Sequence, residues 1–463
     1  MKKILVSVIV LVLVLASCLA IFAACSKSDY DHVIVFYSSQ GQDLGIVTEN
    51  AIAAFEAKYP GWKVEHTRVG GYDDVRDKIM TDNTGGTYPD LAYCYADHVA
   101  LYLPKGNVVD LNKYFTSDAS YSYTADDGKE IKIDRIGFTA EEKADFVQGY
   151  LSEGYASNFS NVPSQYDANA LFTVPFVKST ELMYVNETAL KAMKADVPTT
   201  WDELWALGPK VAARYPTATL LGYDSEANWF ITACEQNGWK YTSTEDGNHY
   251  QFDNAQTRAW LEKLQGYYDL GYITTQEDYG AYTSGLFTKG ADDGGLIFCI
   301  GSSGGASHQD PAGAFEYGIY PIPGVDATHN QCISQGPSLV MFSGGHGVTN
   351  ASEKEIMTWL FMKELLDPTF LSAFAQASGY NPPRQSVYEL EGYQEFLSET
   401  KAAARAAKVA LELNARFFTS PAFEGSATAR NQVGNALLAA IKGIRTPAEA
   451  LAAAVKNCGG NSK

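Results

Sequence analysis

Gly301-Ser302-Ser303-Gly304-Gly305 directly follows an apolar run and matches G-x-S-x-G, a pattern in which a sharp turn exposes a serine oxygen as a nucleophile. A triad would also need an acid and a histidine further along; the histidines beyond it are His308, His329 and His346, and no H-G-G-G oxyanion segment is present. The same turn supports a second chemistry. Glycine-rich backbone after a strand exposes N–H groups that hold a hydroxyl or an anion without any nucleophile. The seven histidines are scattered, with no H-E-x-x-H or His/Cys cluster. Asp126-Asp127-Gly128 and Asp292-Asp293-Gly294 lack the alternating oxygen ligands of a calcium loop and read as solvated turns. Neither a phosphate-cradling nor a dinucleotide glycine motif occurs. No metal, cofactor or catalytic residue is therefore expected, with a surface serine hydrolase using Ser303 as an alternative.

The elements that must position these residues come from a chain of 463 residues, 46% hydrophobic and 19% charged, which is ordinary globular composition. The net charge of -19 repels phosphate backbones and argues against nucleic-acid binding. Cys94, Cys234, Cys299, Cys332 and Cys458 are widely spaced and odd in number, so they read as small buried hydrophobes rather than a disulfide framework. Met1-Lys2-Lys3 precedes an uncharged stretch from Ile4 to Phe22 and then Phe22-Ala23-Ala24-Cys25. This resembles a bacterial lipoprotein signal in which Cys25 is acylated, with Cys18 as the alternative, so the membrane is reached by a lipid anchor only.

Strand and helix patterns alternate, which argues for an α/β fold. Strands are expected at 32–37, 63–69, 90–95, 171–176, 181–186, 296–300 and 339–342, and helices at 44–58, 73–80, 200–214, 400–417 and 446–456. Residues 116–170 are polar and loop-rich.

Several segments in order carry a resemblance: Phe55-Glu56-Ala57-Lys58-Tyr59-Pro60, Tyr88-Pro89-Asp90-Leu91, residues 101–111 (LYLPKGNVVDL), Val174-Pro175-Phe176, Met183-Tyr184-Val185-Asn186, Pro198-Thr199-Thr200-Trp201-Asp202-Glu203-Leu204, and Ser378-Gly379-Tyr380-Asn381-Pro382-Pro383-Arg384. Together they resemble the extracellular solute-binding proteins of bacterial ATP-binding-cassette importers, family 1, the carbohydrate-type group. The resemblance implies an α/β, two-lobed periplasmic-binding-protein-like fold (type II) with discontinuous lobes, hinge segments and a ligand cleft between them. By position, residues 1–24 are the signal, 25–31 a linker, 32–175 and 338–368 the first lobe, and 177–336 and 369–463 the second. Crossings are expected near 175–179, 333–338 and 367–371, with 116–170 as a surface elaboration of the first lobe. It also implies a monomer outside the cytoplasm that hands a small hydrophilic solute to the transmembrane subunits of a permease, without chemistry.

Sugars offer apolar faces to aromatic rings and hydroxyl edges to short polar side chains, and loops at the carboxyl ends of strands are where such a site sits. On that basis Ser38, Ser39 and Gln40, then Tyr95, Asp97 and His98, are expected from the first lobe. Lys178, Ser179, Thr180 and Glu181 are expected at the crossing. Trp229, Trp239, Ser302, Ser303 and Gly304 are expected from the second lobe, with Gln335, Gly336, Tyr380 and Arg384. A neutral mono- or oligosaccharide is the expected solute. Pro175-Phe176-Val177-Lys178-Ser179-Thr180-Glu181 and Gly71-Tyr72-Asp73-Asp74 are similar to glycerol-3-phosphate binders of the family, so glycerol-3-phosphate or a glycerophosphodiester is the alternative.

Overall fold

Side chains alternate across a strand, and strand β1 (Val33–Ser38) uses this to divide two cores: Ile34 and Phe36 enter one apolar cluster, Val35 and Tyr37 another on the opposite face. A computed structural model describes residues 29–460, Gln40 and Asp246 excepted, and their side chains except those of Gln42, Asp43 and Asn414. The expected anchor at Cys25 or Cys18 and the expected site residue Gln40 lie outside the described residues.

Beside β1 lie β2 (Lys63–Arg68) and β3 (Leu91–Cys94), both parallel to it, then β13 (Ser338–Met341) antiparallel to β3, and β6 (Val174–Pro175) at the edge. Pro175 suits an edge because it has no N–H to give a ladder. A second sheet runs β11 (Tyr317–Pro321), β7 (Glu181–Asn186), β10 (Leu296–Ser302), β8 (Thr219–Tyr223) and β9 (Ile273–Thr275). Here β8 is parallel to β10 and β9, and β7 is antiparallel to β10 and β11. Two short pairs, β4 (Tyr121–Thr124) with β5 (Glu130–Ile133) and β12 (Cys332–Ile333) with β14 (Phe417–Phe418), complete the strands among the described residues. Each large sheet is covered by helices and holds its own core, so the molecule has two lobes.

The chain passes from β6 to β7 through Phe176–Thr180 and returns from β12 to β13 through Ser334–Pro337. These crossings lie side by side. Ser179 and Gln335 exchange both backbone hydrogen bonds at 2.9 Å, and Lys178 and Asn381 exchange theirs at 2.8 and 2.6 Å.

The third expected crossing is corrected. Leu371, Phe374 and Ala375 on the helix Pro368–Ser378 form an i, i+3, i+4 stripe buried in the first lobe's core, where Phe374 meets Phe176 edge-on at 4.9 Å. Val387, Tyr393 and Phe396 join the same core. Residues 369–397 thus pack with the first lobe, and the helix Ala402–Glu412 lies between the two. Its Ala404 and Ala407 face the first core and its Ala402, Ala406 and Ala410 the second. Small side chains let it approach both. Residues 116–170 are likewise more than surface: Phe138 and Phe146 pack with Phe115 and Trp359 in the first core.

Candidate functional site

The carboxyl ends of the two sheets face each other across a cleft of about 770 Å³. From the first lobe, Ser39 follows β1, Tyr72 begins the helix Tyr72–Gly85, and Tyr95 follows β3. The Tyr72 and Tyr95 rings sit 4.7 Å apart, and the hydroxyls of Tyr72 and Tyr380 are 3.3 Å apart. Three tyrosines therefore form one wall. From the second lobe come Glu181 at the start of β7, Asp224 and Ser225 after β8, and Ser302 and Gly304 at the end of β10. Ser225 caps the helix Glu226–Asn237, which carries Asn228 into the cleft. The crossings supply Ser179 and Gln335. A smaller chamber of about 230 Å³ adjoins the cleft, sharing Tyr95, Ser225, Asn228 and Gln335 and adding Asp97, Lys178, Gly336 and Arg430.

Charges within the two spaces are distributed unevenly. Burial pushes the Glu181 carboxyl up to about 7, although Tyr223 and Asn228 donate hydrogen bonds to it. Burial also raises Asp224, whose Oδ1 accepts from the backbone N–H and the hydroxyl of Thr283, each at 2.7 Å. In the smaller chamber Arg430 Nε donates to Asp97 Oδ2 at 3.1 Å and its Nη1 to Asn228 Oδ1 at 2.7 Å. Burial alone would raise Asp97, but Arg430 and His98 outweigh it and hold the carboxyl low. Lys178 pairs with Glu153 and donates to Ser338 Oγ at 3.3 Å. Arg430 belongs to the second lobe and Asp97 to the first, so this ion pair ties the lobes together.

The expected residues divide accordingly. Ser39, Tyr95, Ser179, Glu181, Ser302, Gly304, Gln335 and Tyr380 line the cleft; Asp97, Lys178 and Gly336 line the adjoining chamber. The others among the described residues line neither space. Ser38 is buried with its Oγ 2.7 Å from His66 Nε2. His98 is buried, with Nε2 3.4 Å from Asp73. Thr180 is buried and donates to the carbonyl of Ile333.

Ser303 is fully buried, its Oγ accepting from the Thr180 N–H at 3.3 Å. It is therefore no nucleophile at a turn, and the hydrolase alternative is corrected. Trp229 lies in the second core, its ring stacked on Tyr223 at 4.8 Å, and with Trp239 it lines a separate groove beside Trp201, Trp205 and Trp260. Arg384 is spent elsewhere: its Nε donates to Asp145 at 2.6 Å and its cation lies over Phe138 and Phe146.

Sequence reading missed Asp224, Ser225, Asn228, Gln309, Tyr282 and Arg430, and noted Tyr72 only within Gly71-Tyr72-Asp73-Asp74. Asp224 and Ser225 carried a usable signal, a short acid and an N-cap directly after an apolar strand, but Thr219–Tyr223 was not read as a strand. Arg430 sits mid-helix in Ser426–Ile441, where no local pattern marks it.

Comparisons with known proteins agree with this architecture. The sequence model of a family described as bacterial extracellular solute-binding protein matches residues 50–404. The sn-glycerol-3-phosphate-binding periplasmic protein UgpB of Escherichia coli K12 is 23% identical over 444 residues, covering 91% of each chain. Among solved structures, UgpB from Mycobacterium tuberculosis in complex with glycerophosphocholine superposes with a TM-score of 0.70 at 17% identity, covering 92% of this chain and 97% of that one. A substrate-binding protein from Listeria monocytogenes in complex with cycloalternan gives a TM-score of 0.71 at 16% identity, with the same coverage.

Proposed function

The chain belongs to the bacterial extracellular solute-binding proteins, and from that premise we propose that it captures a carbohydrate, mono- or oligosaccharide, in its interlobe cleft and delivers it unchanged to the transmembrane subunits of an ATP-binding-cassette permease. The observation that carries this reading is the pairing of a tyrosine wall on one lobe with a floor of short polar groups on the other. Rings of Tyr72, Tyr95 and Tyr380 suit the apolar faces of a sugar, and Ser225, Asn228, Ser302 and Gln335 suit its hydroxyls. Solute touching both lobes would favour the closed state, with the Asp97–Arg430 pair adding to it.

The protein acts as a monomer outside the cytoplasm, held at the cell membrane by acylation of Cys25. Its first lobe comprises 32–175, 338–368 and the added 369–397, its second 177–336 and the chain beyond the helix Ala402–Glu412.

A glycerol-3-phosphate or glycerophosphodiester solute is the second reading, supported by the names of two relatives; Arg430 would be its anion partner. A thermal-shift screen over sugars, polyols and their phosphates tests both. Stabilisation by a neutral sugar supports the first reading, stabilisation by phosphate-bearing glycerol alone supports the second, and no response from any of them contradicts both.

A further inference from the structure

The main chamber has an electrostatic bias that solute capture alone does not explain. Among the described residues two carboxylates, Glu181 and Asp224, line it with His308, and no lysine or arginine does. The cations of the adjoining chamber are already engaged, Arg430 by Asp97 and Lys178 by Glu153. Glu181 is 2% exposed and Asp224 half-buried; both receive only neutral hydrogen-bond donors, from Tyr223, Asn228, Thr283 and Gln309. A buried acid without a cation is costly in a folded protein unless something positive arrives or the acid stays protonated. Both acids are held above the ordinary carboxylate range because burial outweighs their hydrogen bonds and, for Glu181, the more distant pull of Arg430. A third acceptor waits beside them: Gln309 lines the cleft at 2% exposure, and its Oε1 has no hydrogen-bond donor. Tyr72, Tyr95 and Tyr380 line the same cleft, and the negative quadrupole of an aromatic ring attracts a cation.

Resting on the solute-binding reading above, we propose that the cleft selects a polyhydroxylated solute carrying a protonated primary or secondary amine, an amino sugar, with its ammonium placed among Glu181, Asp224 and Gln309. Gln309 Oε1, which lacks a donor, and two carboxylates, which lack a paired cation, favour an N–H-bearing ammonium over a quaternary nitrogen, which has no proton to give. Ion pairing to the carboxylates supplies the charge that the protein itself leaves out, and the hydroxyls take the remaining polar groups of the floor.

Calorimetric titration of matched pairs at pH 7.5 tests this: glucosamine against glucose, and the fully deacetylated chitobiose against cellobiose, with glycerophosphocholine as the quaternary control. The expected result is at least tenfold tighter binding of the amine in one pair, with weak binding of the control. Glu181→Gln and Asp224→Asn should each reduce that preference to under threefold, and either variant suffices if the other fails to fold. Equal or tighter binding of the neutral member, tighter binding of glycerophosphocholine, or a preference untouched by both substitutions overturns the amine assignment while leaving solute capture standing. Absence of binding by every sugar, neutral or basic, together with a silent thermal screen, overturns the solute reading itself.

Discussion

Glu181 joins the site to the stability of the second lobe. Its carboxyl titrates at about 7 in the folded protein against an ordinary value of 4.5, because burial disfavours the charged form. The folded state therefore holds this proton more tightly than the unfolded chain. The resulting stabilisation is complete below pH 4.5 and is lost as pH rises towards about 7. The slope reaches at most about 1.36 kcal/mol per pH unit. Thermal melts of Glu181→Gln across this range should show a flatter decline than the wild type; parallel curves would mean the carboxyl is not taken up uncharged. At Gly304, an added Cβ would stand 2.5 Å from Cε2 of Tyr380. Gly304→Ala should swing that ring out of the wall and weaken solute binding about tenfold, or ~1.4 kcal/mol, with the melting temperature nearly unchanged. Polar residues at strand ends were partly legible in the sequence because loops there face the cleft: Ser39 after β1, Tyr95 after β3 and Ser302 at the end of β10 reach it, while Ser38 turns to His66. Arg384 and Trp229 were not, since charge and aromaticity serve cores as readily as ligands. Asp145 and the Phe138 and Phe146 rings claim the first, Tyr223 the second.

At the level of elements, residues 181–186 form a strand as the sequence implies, and β1, β2, β3 and β13 fall within a residue or so of their expected bounds. The helix expected at 200–214 is two, Trp201–Ala206 and Gly208–Arg214, because Pro209 opens the second. The expected strand at 171–176 shrinks to Val174–Pro175, the remainder being buried loop. Such departures arise from tertiary packing, which local periodicity does not encode. The alanine-rich helix Ala402–Glu412 shows what its composition is for. Ala406 is fully buried against the second core, while Lys408 is exposed. Ala406→Leu should cost ~1–3 kcal/mol by overpacking, whereas Lys408→Leu should stay within about 0.5 kcal/mol. Urea denaturation distinguishes them, and equal effects would mean the helix is not wedged between the lobes.

On the scale of the whole molecule, two lobes, two adjacent crossings and the Asp97–Arg430 ion pair between the lobes frame the cleft. Neither the place where the chain finally leaves the first lobe nor the partner of Asp97 could be read from the sequence, because both depend on residues brought together across hundreds of positions. Solute gripped from both sides must lose affinity when either side is cut back. The most direct measurement is calorimetric titration of the solute identified by the thermal screen into Tyr95→Ala, Asn228→Ala and the double variant, which trim the first lobe, the second and both. Each single change should weaken binding about tenfold and the pair about a hundredfold, ~2.8 kcal/mol, at one solute per chain. Affinity within threefold of the wild type in the double variant, with the fold intact, would place the solute outside this cleft and contradict the account.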